Sequence, residues 1–110
     1  MAGFVKGDIV VVPLPFSDLS NAKRRPAFVL TDLNGNDIIL CQITSQLNKD
    51  KYSIEILDSD FQSGSLKKIS NIRPNRIFTA DKSIILYKIG SLKPAKSLQI
   101  IQKIIEILSS

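Results

Sequence analysis

A mainly β domain is the fold this sequence predicts: a small, strongly twisted sheet or partly open barrel, followed by one C-terminal helix. Three observations predict it. Short apolar runs rich in β-branched residues recur along most of the chain at regular spacing. Turn-forming clusters separate them, and Asn34-Gly35 is the clearest hairpin signal. After Leu92 the hydrophobic period changes from that of a strand to that of a helix.

The elements follow in order. In GDIVVVPLPF (7–16) the run 9–12 reads as a buried strand, closed by Pro13 and Pro15, which cannot donate to a ladder. Residues 17–23 read as a polar loop. PAFVL (26–30) is the second strand, with Pro26 at its start, where proline is tolerated. IILCQIT (38–44) is the third. YSIEIL (52–57) alternates, with Tyr52, Ile54 and Ile56 on one face and Ser53 and Glu55 on the other. DSDFQSG (58–64) reads as a turn. SLKKIS and the IRPNRIF segment read as two shorter, more polar strands, and SIILYKIG (83–90) as the last.

In the terminal stretch Leu98, Ile101, Ile105 and Leu108 recur at helical spacing, and Pro94 suits a first turn. Gln99, Lys103 and Glu106 are expected to face water. Ile100, Ile104 and Ile107 widen the apolar face. The plain reading is a helix packed on the sheet; the sharper one adds a subunit interface. With no repeat, low-complexity tract or linker, residues 1–110 read as a single domain.

The net charge of +5 and pI of about 9.5 favour an anionic partner: RNA, DNA or an acidic protein segment. Cys41 is the only cysteine, which excludes an intramolecular disulfide and a cysteine metal cluster. It fits a reducing, cytoplasmic setting. Lys6 and Asp8 interrupt any apolar signal core, and no run is long enough to span a membrane. The chain has no histidine, so a His-based triad, a paired-His nuclease and a His-ligated zinc are excluded. No phosphate-cradling glycine loop occurs. Asp58 and Asp60 are close but stand alone in a turn, so no metal or cofactor is expected.

Three stretches could carry chemistry. In NAKRRPAFVL (21–30), Arg25 precedes Pro26, which biases its backbone towards an extended form. A guanidinium held there offers a rigid fork of donors matched to a phosphate. Lys23 and Arg24 add attraction for a polyanion. The alternative is a solvated turn paired with Asp18 or Asp32. In QITSQ (42–46), Thr44, Ser45 and Gln46 follow an apolar strand, where neutral donors and acceptors reach a ligand; ordinary strand termination is the alternative. LKKISNIRPNR (66–76) carries four cations, Lys68 and Arg73 among them, with Asn71 and Asn75 as possible readers of single-stranded RNA bases. It lacks an aromatic platform, since Phe78 is expected in the core; a charged exposed strand is the alternative.

These segments, in this order, resemble the MazF/PemK family of toxins from bacterial toxin–antitoxin pairs. The matching elements are GDIVVVPLPF (7–16), KRRPAFVL (23–30), ILCQITS (39–45), SLKKISNIR (65–73) and KIGSL (88–92) before a terminal helix. The resemblance implies an SH3-like, partly open β-barrel of the PemK/CcdB type with a C-terminal helix. It implies a homodimer and a sequence-selective, metal-independent endoribonuclease cutting single-stranded RNA or mRNA, with an acidic antitoxin as protein partner. Arg25 falls on the family's catalytic arginine and Thr44 on its catalytic threonine. Lys23, Arg24, Ser45, Gln46, Lys68 and Arg73 are then the expected RNA-binding residues. Ser70 stands where many members carry an acidic residue. A catalytically weak or inactive member, binding nucleic acid or an antitoxin, is therefore the alternative.

Overall fold

The computed structural model describes residues 3–14, 23–45 and 51–110. Seven strands form one sheet in which every pairing is antiparallel: β1 (Asp8–Leu14), β2 (Lys23–Asp32), β3 (Asp37–Thr44), β4 (Ile54–Ile56), β5 (Phe61–Ser63), β6 (Ser70–Asp81) and β7 (Tyr87–Leu92). Their spatial order is β4-β6-β3-β2-β1-β7-β5. The sheet curls into a half-barrel, and helix α1 (Pro94–Ser109) closes the chain. The expected fold class is the observed one.

Period-two alternation gives the sheet an apolar cluster on each face. Ile9, Phe28, Cys41, Ile43, Ile54, Ile72 and Leu92 form one with Ile100 and Ile104 of α1. Val10, Val12, Ala27, Val29, Ile38 and Leu40 form the other, flanked by half-buried Phe4, Phe78, Ile84 and Ile85. Because both faces are covered, β1 to β3 read as continuous apolar runs.

Several boundaries differ from the sequence reading. β2 begins at Lys23, so the three cations are strand residues, not loop: β1 runs on through Pro13 to Leu14 and supplies them with partners. SLKKIS is not a strand. The chain from Ser65 to Ile69 lacks ladder pairing, and β6 is one long strand from Ser70. Residues 58–64 are a 3-10 turn, Asp58–Asp60, followed by β5. The last strand is displaced to Tyr87–Leu92 because Lys82–Ile84 form a second 3-10 turn, capped by the Asp81 carboxylate accepting from Ser83 N–H at 2.9 Å.

The helix packs a different stripe from the one its spacing favoured. Ser97, Ile100 and Ile104 are buried, whereas Leu98, Ile105 and Leu108 are exposed. Two adjacent apolar stripes compete on this helix, and periodicity does not rank them. The small residue decides: Ser97 sits against Gly7, where an added Cβ would lie 2.9 Å from the Ser97 Oγ. That close approach turns Ile100 and Ile104, on the same face as Ser97, into the core.

Candidate active site

β1, β2, β3, β6 and β4 bring one row of residues together across the sheet. Val12 pairs with Arg25, Thr44 with Asn71, and Glu55 with Asn71. The β2–β3 ladder sets Ala27 opposite Gln42; continued two residues along both strands, that register brings Arg25 to Thr44. Directly opposed residues project from the same face. The row Arg25, Thr44, Asn71, Glu55 therefore lies on one face, spanning three strand intervals, roughly 14 Å.

This is the face of Val12 and Ala27, and it lies opposite the helix. The alternate row, Ile43, Ile72 and Ile54, enters the helix-side core. The apolar cluster thus ends in a polar strip. Arg25 is half-buried beside fully buried Val12, while Thr44 and Asn71 are only 8% and 4% exposed. An arginine fixed next to a buried strand has little rotamer freedom left, which suits it to hold an anion in one place.

Asn71, by sequence a possible reader of RNA bases, is placed by strand register in the same row. Its Oδ1 is buried and accepts no hydrogen bond from the described residues. A buried acceptor without a donor is costly, and such groups concentrate where a ligand supplies the missing partner. Burial and pairing of Asn71 with Thr44 come from strand register, which no local motif encodes.

Ser70 lies on the other face. It pairs with Ile56, is 3% exposed, and its hydroxyl donates to the Lys68 carbonyl at 3.0 Å. An acidic residue at this position would project with Ile56 towards the core, away from the Arg25–Thr44 row.

A bulge shapes the flank. Cys41 pairs with Ile77 and Ile43 with Ile72, so β6 inserts extra residues opposite Gln42, including half-buried Arg73 and fully buried Pro74. Bulges re-aim side chains next to functional sites, and proline is admitted there. The Cys41 thiol donates to the Arg73 carbonyl at 3.0 Å, which ties the bulge to β3. Burial pushes that thiol up to about 12, so Cys41 is a core residue and no nucleophile.

The remaining expected residues divide. Lys23 shares the face of Arg25, by alternation along β2, and Arg24 projects from the opposite one. Ser45 is exposed just past β3, and Lys68 is exposed just before β6, at the same end of the sheet. Gln46 and Asp18 lie outside the described residues. Asp32 pairs with Lys82, so it does not serve the cation run. No cluster of metal-binding side chains occurs among the described residues. No helix is long and apolar enough to cross a membrane.

The family model described as "PemK-like, MazF-like toxin of type II toxin-antitoxin system" matches residues 5–108. The chain belongs to this toxin family. Solved structures agree on the fold. A mycobacterial endoribonuclease in complex with its cognate antitoxin superposes with a TM-score of 0.75 at 14% identity, covering 97% of this chain and 96% of that one. The Mycobacterium tuberculosis toxin MazF-mt6 gives 0.73 at 16% identity, over 93% and 96%. The MazF of a Deinococcus radiodurans MazE–MazF crystal gives 0.74 at 14%, over 96% and 95%. No curated protein matches the chain significantly in sequence. PemK/MazF membership agrees with the resemblance carried by the KRRP and ITS elements, on which Arg25 and Thr44 lie.

Proposed function

We propose that this PemK/MazF-family toxin is an endoribonuclease that cuts single-stranded RNA, mRNA included, at selected sequences without a metal ion. The observation that carries the reading is the Arg25–Thr44 row: a cation and a hydroxyl on one face, beside a buried polar amide. RNA contains its own nucleophile. The 2′-hydroxyl attacks the adjacent phosphate, so the protein must align the in-line attack and stabilise the added negative charge. Arg25 holds the pentacoordinate phosphorus by donating guanidinium N–H groups to its oxygens, and Thr44 orients a phosphate oxygen or the 2′-hydroxyl. Lys23, Arg73, Lys68 and Ser45 line the path at the same end of the sheet. Arg24 and Gln46 complete the proposed RNA contacts, with Arg24 reaching round the sheet end.

The partners follow the same charge. An acidic antitoxin is the proposed protein ligand, as the antitoxin-bound mycobacterial relative suggests. The exposed Leu98, Ile105 and Leu108 stripe of α1 is the proposed homodimer contact, and the cytoplasm the proposed compartment.

The test is incubation of the purified protein with single-stranded RNA in EDTA, beside Arg25→Ala. Cleavage that leaves 2′,3′-cyclic phosphate ends, is lost in the variant and spares DNA is expected. Equal cutting by both proteins, or cutting of DNA, would refute the reading.

A further inference from the structure

We propose that Glu55, delivered by the edge strand β4, is the general base that takes the proton from the attacking 2′-hydroxyl. The inference rests on the RNA-cleaving function proposed above and supplies the group that function lacks. The chain has no histidine. Position 70, where the family often carries an acid, projects with Ile56 to the core face. Among the described residues, the strand pairing points to a carboxylate on another strand.

The strand register names it. Asn71 is paired on one side with Thr44 and on the other with Glu55, so Glu55 continues the Arg25–Thr44–Asn71 row on the same face. The alternation of β4 fixes this direction: Ile54 and Ile56 are buried in the helix-side core, and Glu55 between them is exposed on the site face.

The other carboxylates of the described residues are placed elsewhere. Asp8 is buried against Lys88, and Asp32 pairs with Lys82. Asp37 and Asp81 pair with each other at the far end of the β3–β6 ladder. Asp60 pairs with Lys96, Asp58 shares its 3-10 turn, and Glu106 is on α1.

The geometry suits the chemistry. Glu55 and Thr44 are two strands apart, about 10 Å between backbones, and Arg25 is one strand further. Glu55 and Arg25 stand at the two ends of the row, on either side of the Thr44–Asn71 pair and on the same face. That places an acceptor of protons and a stabiliser of negative charge on opposite sides of one ribose–phosphate unit. The open Oδ1 of Asn71, between them, can accept from a ribose hydroxyl. In the step, the Glu55 carboxylate takes the 2′-hydroxyl proton, the O2′–P bond forms and the P–O5′ bond breaks. The departing O5′ takes a proton from water, and the resulting hydroxide recovers the proton from Glu55.

The test uses the full chain and a single-stranded RNA that the wild-type protein cuts to cyclic-phosphate ends. Glu55→Gln is expected to lower kcat by about a hundredfold or more, with KM little changed. Glu55→Ala is expected to regain activity when formate is added, and Arg25→Ala is not. Melting curves of both Glu55 variants accompany the rates. Glu55→Gln cutting at the wild-type rate while Arg25→Ala is inactive would overturn the proposal and leave the RNase reading standing. A folded Glu55→Ala that formate does not rescue would overturn it too, as would loss of the melting transition in both variants, which assigns Glu55 a structural role. A wild-type protein that cuts no RNA would remove the RNase reading and this proposal together.

Discussion

Thr44 and Asn71 are direct partners in the β3–β6 ladder, and both are buried where the sheet's second apolar cluster gives way to polar side chains. A Thr–Asn pair at the margin of a core is not what packing alone selects. The Asn71 Oδ1 accepts no hydrogen bond from the described residues, so the pair carries a stability cost of about 1–3 kcal/mol for a buried orphan acceptor. Asn71→Val removes that acceptor and suits a strand. It is expected to raise unfolding free energy by about 1 kcal/mol in urea titrations and to lower RNA cleavage about tenfold or more. A stabilised variant with full activity would show that Asn71 has no part in the site.

Cys41 should be inert. Its thiol is buried, bonded to the Arg73 carbonyl and pushed up to about 12. A thiol reagent should label it only on global unfolding, and labelling rates measure this. The sign of the linked stability follows from proton counts. Below the unfolded thiol's pKa both states hold the proton and stability is unaffected. Between there and about 12 the unfolded state releases it and the folded state does not, so stability falls as pH rises, by at most about 1.4 kcal/mol per pH unit. Cys41→Ala should flatten this alkaline slope, apart from a constant cavity cost.

Gly90 is the contact point of β7 with β5. An added Cβ would overlap the Ser63 carbonyl, and Gly64, just past the end of β5, meets Gly90 with φ of +73°. Backbone on backbone cannot yield as a side-chain end can. Gly90→Ala is expected to cost about 3 kcal/mol or more and to loosen the β5 edge first. Hydrogen exchange of β5 amides against those of β3 would show it.

Asp8 is 1% exposed, with Oδ2 accepting from Val5 N–H at 3.0 Å and Oδ1 3.3 Å from Lys88 Nζ. The ammonium is the countercharge to a buried carboxylate, although its geometry at Oδ1 falls short of a hydrogen bond. Since Lys88 is about half-exposed, solvent screens part of the pair. Lys88→Met should destabilise by roughly 1–2 kcal/mol, less than removal of a fully buried partner. The urea midpoint reports it. An unchanged midpoint would mean that water serves Asp8 as well as lysine does.

Strand chemistry was legible wherever it was local. The β-branched run of β1, the Asn34-Gly35 turn, the alternation of β4 and the terminal helix all stand in the sequence, because a strand or helix written in a short window needs no distant partner. Arg25 and Thr44 stand in short motifs that the sequence displays, but the motifs do not say what lies beside them. The helix face was not: Leu98, Ile105 and Leu108 make as good a stripe as Ser97, Ile100 and Ile104, and only the close approach of Ser97 to Gly7 separates them. The start of β2 is not local information: Lys23 looks like loop until the continuation of β1 to Leu14 is known.

The sequence by itself determined the fold class, the absence of histidine, the basic charge and the short motifs around Arg25 and Thr44. Those depend on composition and on short-range pattern. Only the tertiary structure decided what surrounds Arg25 and Thr44. Strand pairing joins residues far apart in the chain, and a shift of one residue in register exchanges the two faces of a strand. That register turned Ser70 towards the core, set Asn71 against Thr44, and aligned Glu55 with the same row.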